Sequence, residues 1–181
     1  EMAGTYGDTF KGDLSLLRQQ SGLLKMALSG TNRLERNVNI LSNGLIRFGQ
    51  DGGELMLTGR DQVFTSNQKI YFHHLNVTEH EGTLSLDADV VFEDQDFDLS
   101  QSIVDLKGNT LSLRIDSVSH ESGWFQNIHR LYWELDETRG YSLPIYEDGT
   151  KNIHTFTPID NFRGEITYFS NAIHSENLPR L

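Results

Sequence analysis

Apolar side chains recur at every second position along much of this chain, and that rhythm restricts it to β structure with one dry face per strand. The clearest run sets Leu84, Leu86, Ala88, Val90 and Phe92 between Thr83, Ser85, Asp87, Asp89 and Glu93, and reads as a half-buried strand. Shorter runs keep the same period at Leu55/Leu57, Ile70/Phe72, Leu111/Leu113/Ile115 and Leu131/Trp133/Leu135. Leu14–Arg18 and Leu24–Leu28 flank Ser21-Gly22 as a candidate hairpin. One segment reads two ways. Leu34, Val38 and Leu41 fall at i, i+4 and i+7 and would line a short helix over residues 32–41, whereas alternation through Val38 and Ile40 gives a strand.

Glycine cuts the rhythm at short intervals, at Ser21-Gly22, Asn43-Gly44, Asp51-Gly52-Gly53, Gly108-Asn109, Ser122-Gly123 and Asp148-Gly149. Such pairs tolerate positive φ and favour tight reversals, and short reversals imply antiparallel pairing. About ten strands in one chain must close on themselves to hide their edges, so the expected fold is a single antiparallel β-barrel or β-sandwich. No repeat of fixed period, linker or low-complexity tract stands out, and residues 1–181 read as one domain with a poorly packed tail from about residue 174.

Twenty-six acidic residues against fifteen basic ones give a formal net charge of −11, which repels phosphate backbones and argues against nucleic acid as a partner. The same charge suits a soluble protein and leaves cations, glycans, small apolar ligands or another protein as partners. With no cysteine, disulfides, thiolate catalysis and cysteine-bound zinc are ruled out. No apolar run approaches the roughly 18–20 residues that cross a bilayer as a helix.

Three clusters could carry chemistry. Asp94, Asp96 and Asp98, within the acidic run from Asp87, resemble the opening of a calcium-binding loop, but Leu99 stands where the turn needs glycine and Asp105 where glutamate is usual. A solvated strand face that protects a sheet edge accounts for the same acids. His74 and His80, with Glu79 and Glu81, have the donors for zinc or copper; adjacent His73 and His74 should face opposite ways, so only one can join such a site. The third cluster gathers Trp124, Phe125, His129, Tyr132 and Trp133; some rings must fill the core, and an outward one could stack on a sugar or line an apolar pocket. Catalysis has no comparable support. The chain lacks a nucleophile elbow, a phosphate loop, His-Glu-x-x-His and a dinucleotide fingerprint, and a carboxylate pair such as Asp116 with Glu121 needs the fold to unite it.

Gly4-Thr5-Tyr6 is mildly similar to the Gly-x-Trp entry of lipocalin-like barrels, with tyrosine in place of tryptophan; the likeness spans three residues and assigns no family. The expectation is a non-enzymatic binding domain for a small apolar ligand or a glycan, held near Trp124, His129, Tyr132 and Trp133. It would work outside the cytoplasm, as a periplasmic, envelope-attached or secreted protein; a signal sequence or lipid-attachment cysteine before Glu1 would fix the compartment. A structural or adhesive module engaging a partner protein is the alternative, and a glycan-active enzyme using paired carboxylates is a third.

Overall fold

The alternating segments do form strands, but nearly all of them run the same way. The computed structural model describes residues 7–26, 30–49, 53–93, 96–135, 140–158 and 164–169, with the main chain alone at 24–26 and 164–169. Among these residues every regular element is a strand.

The chain climbs in six coils, each laying one short strand on each of three faces. The first coil holds β1 (Thr9–Phe10), β2 (Leu14–Arg18) and β3 (Leu24–Met26), the second β4 (Gly30–Leu34), β5 (Val38–Ser42) and β6 (Ile46–Phe48). The third holds β7 (Gly53–Leu57), β8 (Val63–Ser66) and β9 (Ile70–Phe72), the fourth β10 (Leu75–Asn76), β11 (Thr83–Asp87) and β12 (Val90–Glu93). The fifth holds β13 (Phe97–Asp98), β14 (Ile103–Asp105) and β15 (Thr110–Arg114), the sixth β16 (Val118–Ser119), β17 (Trp124–Gln126) and β18 (Arg130–Leu135). Three strands follow: β19 (Tyr141–Glu147), β20 (Thr150–Phe156) and β21 (Gly164–Phe169).

Stacking the coils makes an eight-stranded sheet, β2-β5-β8-β11-β14-β17-β19-β20, and a seven-stranded sheet, β21-β18-β15-β12-β9-β6-β3. The third face is a four-stranded sheet, β1-β4-β7-β10, whose place in the last two coils is taken by the pair β13-β16. From coil to coil the pairing is parallel, as in Leu14 to Val38 to Phe64 to Leu86. Antiparallel pairs among the described residues are β18 with β21 and β19 with β20, both at the end of the stack.

This β-solenoid overturns the expected antiparallel barrel or sandwich of ten strands. The physical reason lies at the turns, where glycine pairs bend the chain from one face to the next. Among the described residues, Asp148-Gly149 alone makes the expected hairpin: both residues have positive φ, 49° and 80°, and they join β19 to β20. The hairpin expected around Ser21-Gly22 is absent, because β2 pairs with β5 and β3 with β6. Residues 32–41 form no helix; they carry the end of β4 and the start of β5, with Leu34, Val38 and Ile40 all buried. The long run from Leu84 to Phe92 is two strands on two faces, bent at Ala88-Asp89 with its apolar side kept inward. A repeat does exist, but its length varies between 20 and 26 residues from coil to coil, so no fixed period survives in the sequence. Gly4-Thr5-Tyr6 and the tail from residue 174 lie outside the described residues.

The interior is a set of ladders. Phe48, Phe72 and Phe92 stack up the seven-stranded sheet with ring centroids 5.6 and 5.5 Å apart. Phe64 meets Phe72 edge-on from the eight-stranded sheet at 6.0 Å, and Phe97 packs on Phe92 at 4.5 Å. At the corners, where strand pairing lapses, side-chain oxygens take over as acceptors between coils. Asp13 accepts from the Asn37 backbone N–H at 3.1 Å, Asn37 from Val63 at 2.9 Å, and Asp61 from Thr83 at 2.9 Å.

Candidate functional site

Because the inner residues of β14, β17 and β19 are the buried Val104, Phe125 and Ile145, their neighbours point outward. Register then builds a patch from residues distant in sequence: Ile103 beside Trp124 and Asp105 beside Gln126, Gln126 beside Tyr146, and Tyr146 beside Lys151. The Trp124 and Tyr146 rings stack with centroids 5.6 Å apart and planes 27° from parallel. Tyr146 remains 37% exposed. The Lys151 ammonium lies over the Trp124 ring, 5.8 Å from its centroid.

A polar chain fixes the indole. Trp124 Nε1 donates to Gln126 Oε1 at 3.2 Å, and Gln126 Nε2 donates to Asp105 Oδ2 at 3.2 Å. Asp105 is 4% exposed; it also accepts from Asn127 Nδ2 and from the Lys107 backbone N–H, each at 2.9 Å, and Lys107 Nζ lies 3.0 Å away. Burial alone would raise this carboxyl, but the donors from Asn127, Lys107 and Gln126 outweigh it and hold it below its ordinary value of 3.8. The patch is therefore a pair of rings on a braced polar footing, with a cation above.

The other expected ligand residues go elsewhere. Trp133 points inward at 0% exposure, donates Nε1 to the Ile115 carbonyl at 3.0 Å and meets Tyr141 edge-on at 5.2 Å. Tyr132 is on the outer face of the seven-stranded sheet, where its hydroxyl accepts from Arg130 at 2.7 Å. His129 sits half-buried at the corner before β18, its backbone N–H donating to Asn109. Of the expected aromatic group, only Trp124 belongs to the patch. Gln126 shares its strand face, Asp105 and Tyr146 join it through a coil spacing of 20–21 residues that alternation does not disclose, and Lys151 joins across the β19–β20 hairpin.

The expected metal residues are also dispersed. His74 is 3.5 Å from Glu54, which accepts from Thr31 and Asn76 at 2.7 Å on the outer face of the four-stranded sheet. His80 is buried at a corner, with Nδ1 3.3 Å from Ser102 Oγ. Asp96 Oδ1 accepts from the Ser117 backbone N–H and Asp98 Oδ1 from Ser100, both at 2.8 Å; Asp94 lies outside the described residues. Among the described residues no three His, Asp or Glu side chains converge in a way that could hold a metal ion. His73 joins an outer cluster on the seven-stranded sheet, 2.8 Å from Glu93, which also faces Arg47 at 3.5 Å and Arg114 at 3.4 Å. Of the carboxylates weighed as a pair, Glu121 accepts from Gln101 at 3.1 Å, while Asp116 lines a surface pocket of about 240 Å³ with Arg114, Ile115 and Glu134.

His80 carries a consequence for stability. Burial lowers it below its ordinary value of 6.5 against the opposing pull of Asp61 and Glu81. Burial and Lys151 both lower His120. The folded chain thus binds fewer protons than the unfolded one just below pH 6.5, and its stability decreases as the pH is lowered through that window. The melting temperature is expected to drop between pH 7.5 and 5.5, and less so in His80→Gln. Equal slopes for the two proteins would contradict the assignment to His80.

No helix among the described residues is long and apolar enough to cross a membrane. Comparison with protein-family models, with curated proteins and with solved structures found no match for this chain.

Proposed function

We propose that this domain is a non-enzymatic glycan-binding module acting outside the cytoplasm, with the saccharide laid on the Trp124–Tyr146 patch. The observation that carries the reading is the braced, outward aromatic pair. Rings held in place before binding lose little conformational freedom when a pyranose stacks on them, and amides beside them supply hydrogen bonds to sugar hydroxyls. Stacked phenylalanines fill the axis of the solenoid, which favours a ligand laid on the outer face over one held inside. A signal peptide or lipid-attachment site in the precursor is the observation that checks the compartment.

The test is a saccharide panel read by thermal shift and titration calorimetry. A true ligand raises the melting temperature by mass action. Trp124→Ala is expected to weaken that ligand at least about tenfold, the worth of one good ring contact. An unchanged affinity in Trp124→Ala would remove the patch from consideration.

A second reading, a structural or adhesive module engaging a partner protein, is favoured by a different observation. Leu17 and Leu41, register neighbours on β2 and β5, are 69% and 51% exposed, with Leu23 and Leu45 exposed at the next corner. Exposed apolar residues grouped in this way commonly mark a protein contact. Silence across the saccharide panel would favour this reading.

A further inference from the structure

The patch has a cation without an anion. Lys151 sits over Trp124 and pairs with no carboxylate among the described residues. Acids outnumber bases in this chain of net charge −11, and Arg47, Arg60, Lys107 and Arg114 each lie within 3.7 Å of a carboxylate. Lys107 is engaged by Asp105 beside the same rings. The hairpin geometry fixes where the ammonium can go: Lys151 stands directly opposite Tyr146 across β19 and β20, at the outer end of the patch.

The cation also occupies the surface a sugar needs. A neutral sugar that takes the Trp124 face must lift the ammonium away and forfeit a contact of the cation–π type, with nothing given in return. A sugar carrying an anion offers that displaced ammonium a charge-assisted hydrogen bond, which is the stronger interaction. The four-carbon stem of lysine is long and flexible enough to exchange one partner for the other without moving the strand.

Resting on the glycan reading above, we propose that the saccharide bound here carries a carboxylate or sulfate, gripped by Lys151 at the edge of the Trp124–Tyr146 pair. Ring stacking supplies the platform, and Lys151 selects the charge.

Calorimetric titration of the full chain with a trigalacturonate, its methyl ester and a sulfated galactose trisaccharide tests this. The expected result is binding of the acid or the sulfate at least about tenfold more tightly than the ester, with affinity falling as salt rises. Lys151→Met should bring the anionic ligand to the level of the ester, and Lys151→Arg should retain the preference. Which of the two anions binds distinguishes uronate from sulfate. Equal affinity for acid, sulfate and ester, or a preference that survives in Lys151→Met, overturns the selection by charge and leaves the saccharide reading standing. No binding of any of the three, while a neutral saccharide of the panel binds, overturns the selection by charge alone; silence across the whole panel as well overturns both.

Discussion

Phe72→Ala is expected to cost about 3–5 kcal/mol of folding stability, the range for deleting a buried phenylalanine. Phe72 is buried in the third coil, stacked between Phe48 and Phe92 and met edge-on by Phe64. Truncation removes ring contacts upward, downward and across the prism at once. Each coil of a solenoid leans only on its neighbours, so a hole in a middle coil weakens two interfaces together. Tyr71, one residue earlier, faces outward under Arg47 at 5.1 Å, and Tyr71→Ala should cost well under half as much. Urea unfolding followed by circular dichroism measures both. Comparable losses at the two positions would contradict the inward and outward assignment on which every ladder depends.

That contrast also marks how far the sequence could be read. Alternation at Ile70/Phe72 and Leu111/Leu113/Ile115 correctly separates inner from outer residues, because a side chain's face depends only on the two-residue pleat. Strand direction is another matter. Parallel sheets usually announce themselves as continuous apolar runs, since helices cover both of their faces. Here only the inner face is covered, so Leu84, Leu86, Val90 and Phe92 alternate as they would in an antiparallel strand. Asn43-Gly44 and Gly108-Asn109 do mark turns, yet the local residues that permit a corner are the same ones that permit a reversal. Asp148-Gly149 is where the two meanings coincide.

The site was less legible for a related reason. In a stacked fold, neighbours on a face come from the same position in successive coils, and coils here differ in length. Trp124 is conspicuous in the sequence, but Asp105 and Tyr146 become its companions only once register is known. The acids from Asp87 to Asp98 misled in the opposite direction. Asp89 and Asp96 accept the Thr110 and Ser117 backbone N–H groups at 2.8 Å, holding one coil to the next. Density of charge in the sequence thus reflects corner chemistry.

Asp105 is where this corner chemistry meets the candidate site, and Asp105→Ala is expected to cost about 3 kcal/mol. Its carboxylate satisfies Asn127 Nδ2, Gln126 Nε2 and the Lys107 backbone N–H, so truncation takes the acceptor from three donors, of which the exposed Asn127, like the Lys107 ammonium, can turn to water. Asp105→Asn should also destabilise, since a carboxamide turns an NH₂ group toward donors that need an acceptor. The loss reaches the rings as well, because Gln126 holds Trp124 only while Asp105 holds Gln126. Gln126→Ala separates the two effects. It should weaken saccharide binding nearly as much as Asp105→Ala while sparing most of the stability, because its own hydrogen bonds lie on the half-exposed outer face. If Asp105→Ala unfolds the protein early but a sub-melting titration still finds wild-type affinity, the polar footing braces the fold alone and the indole needs no support from it.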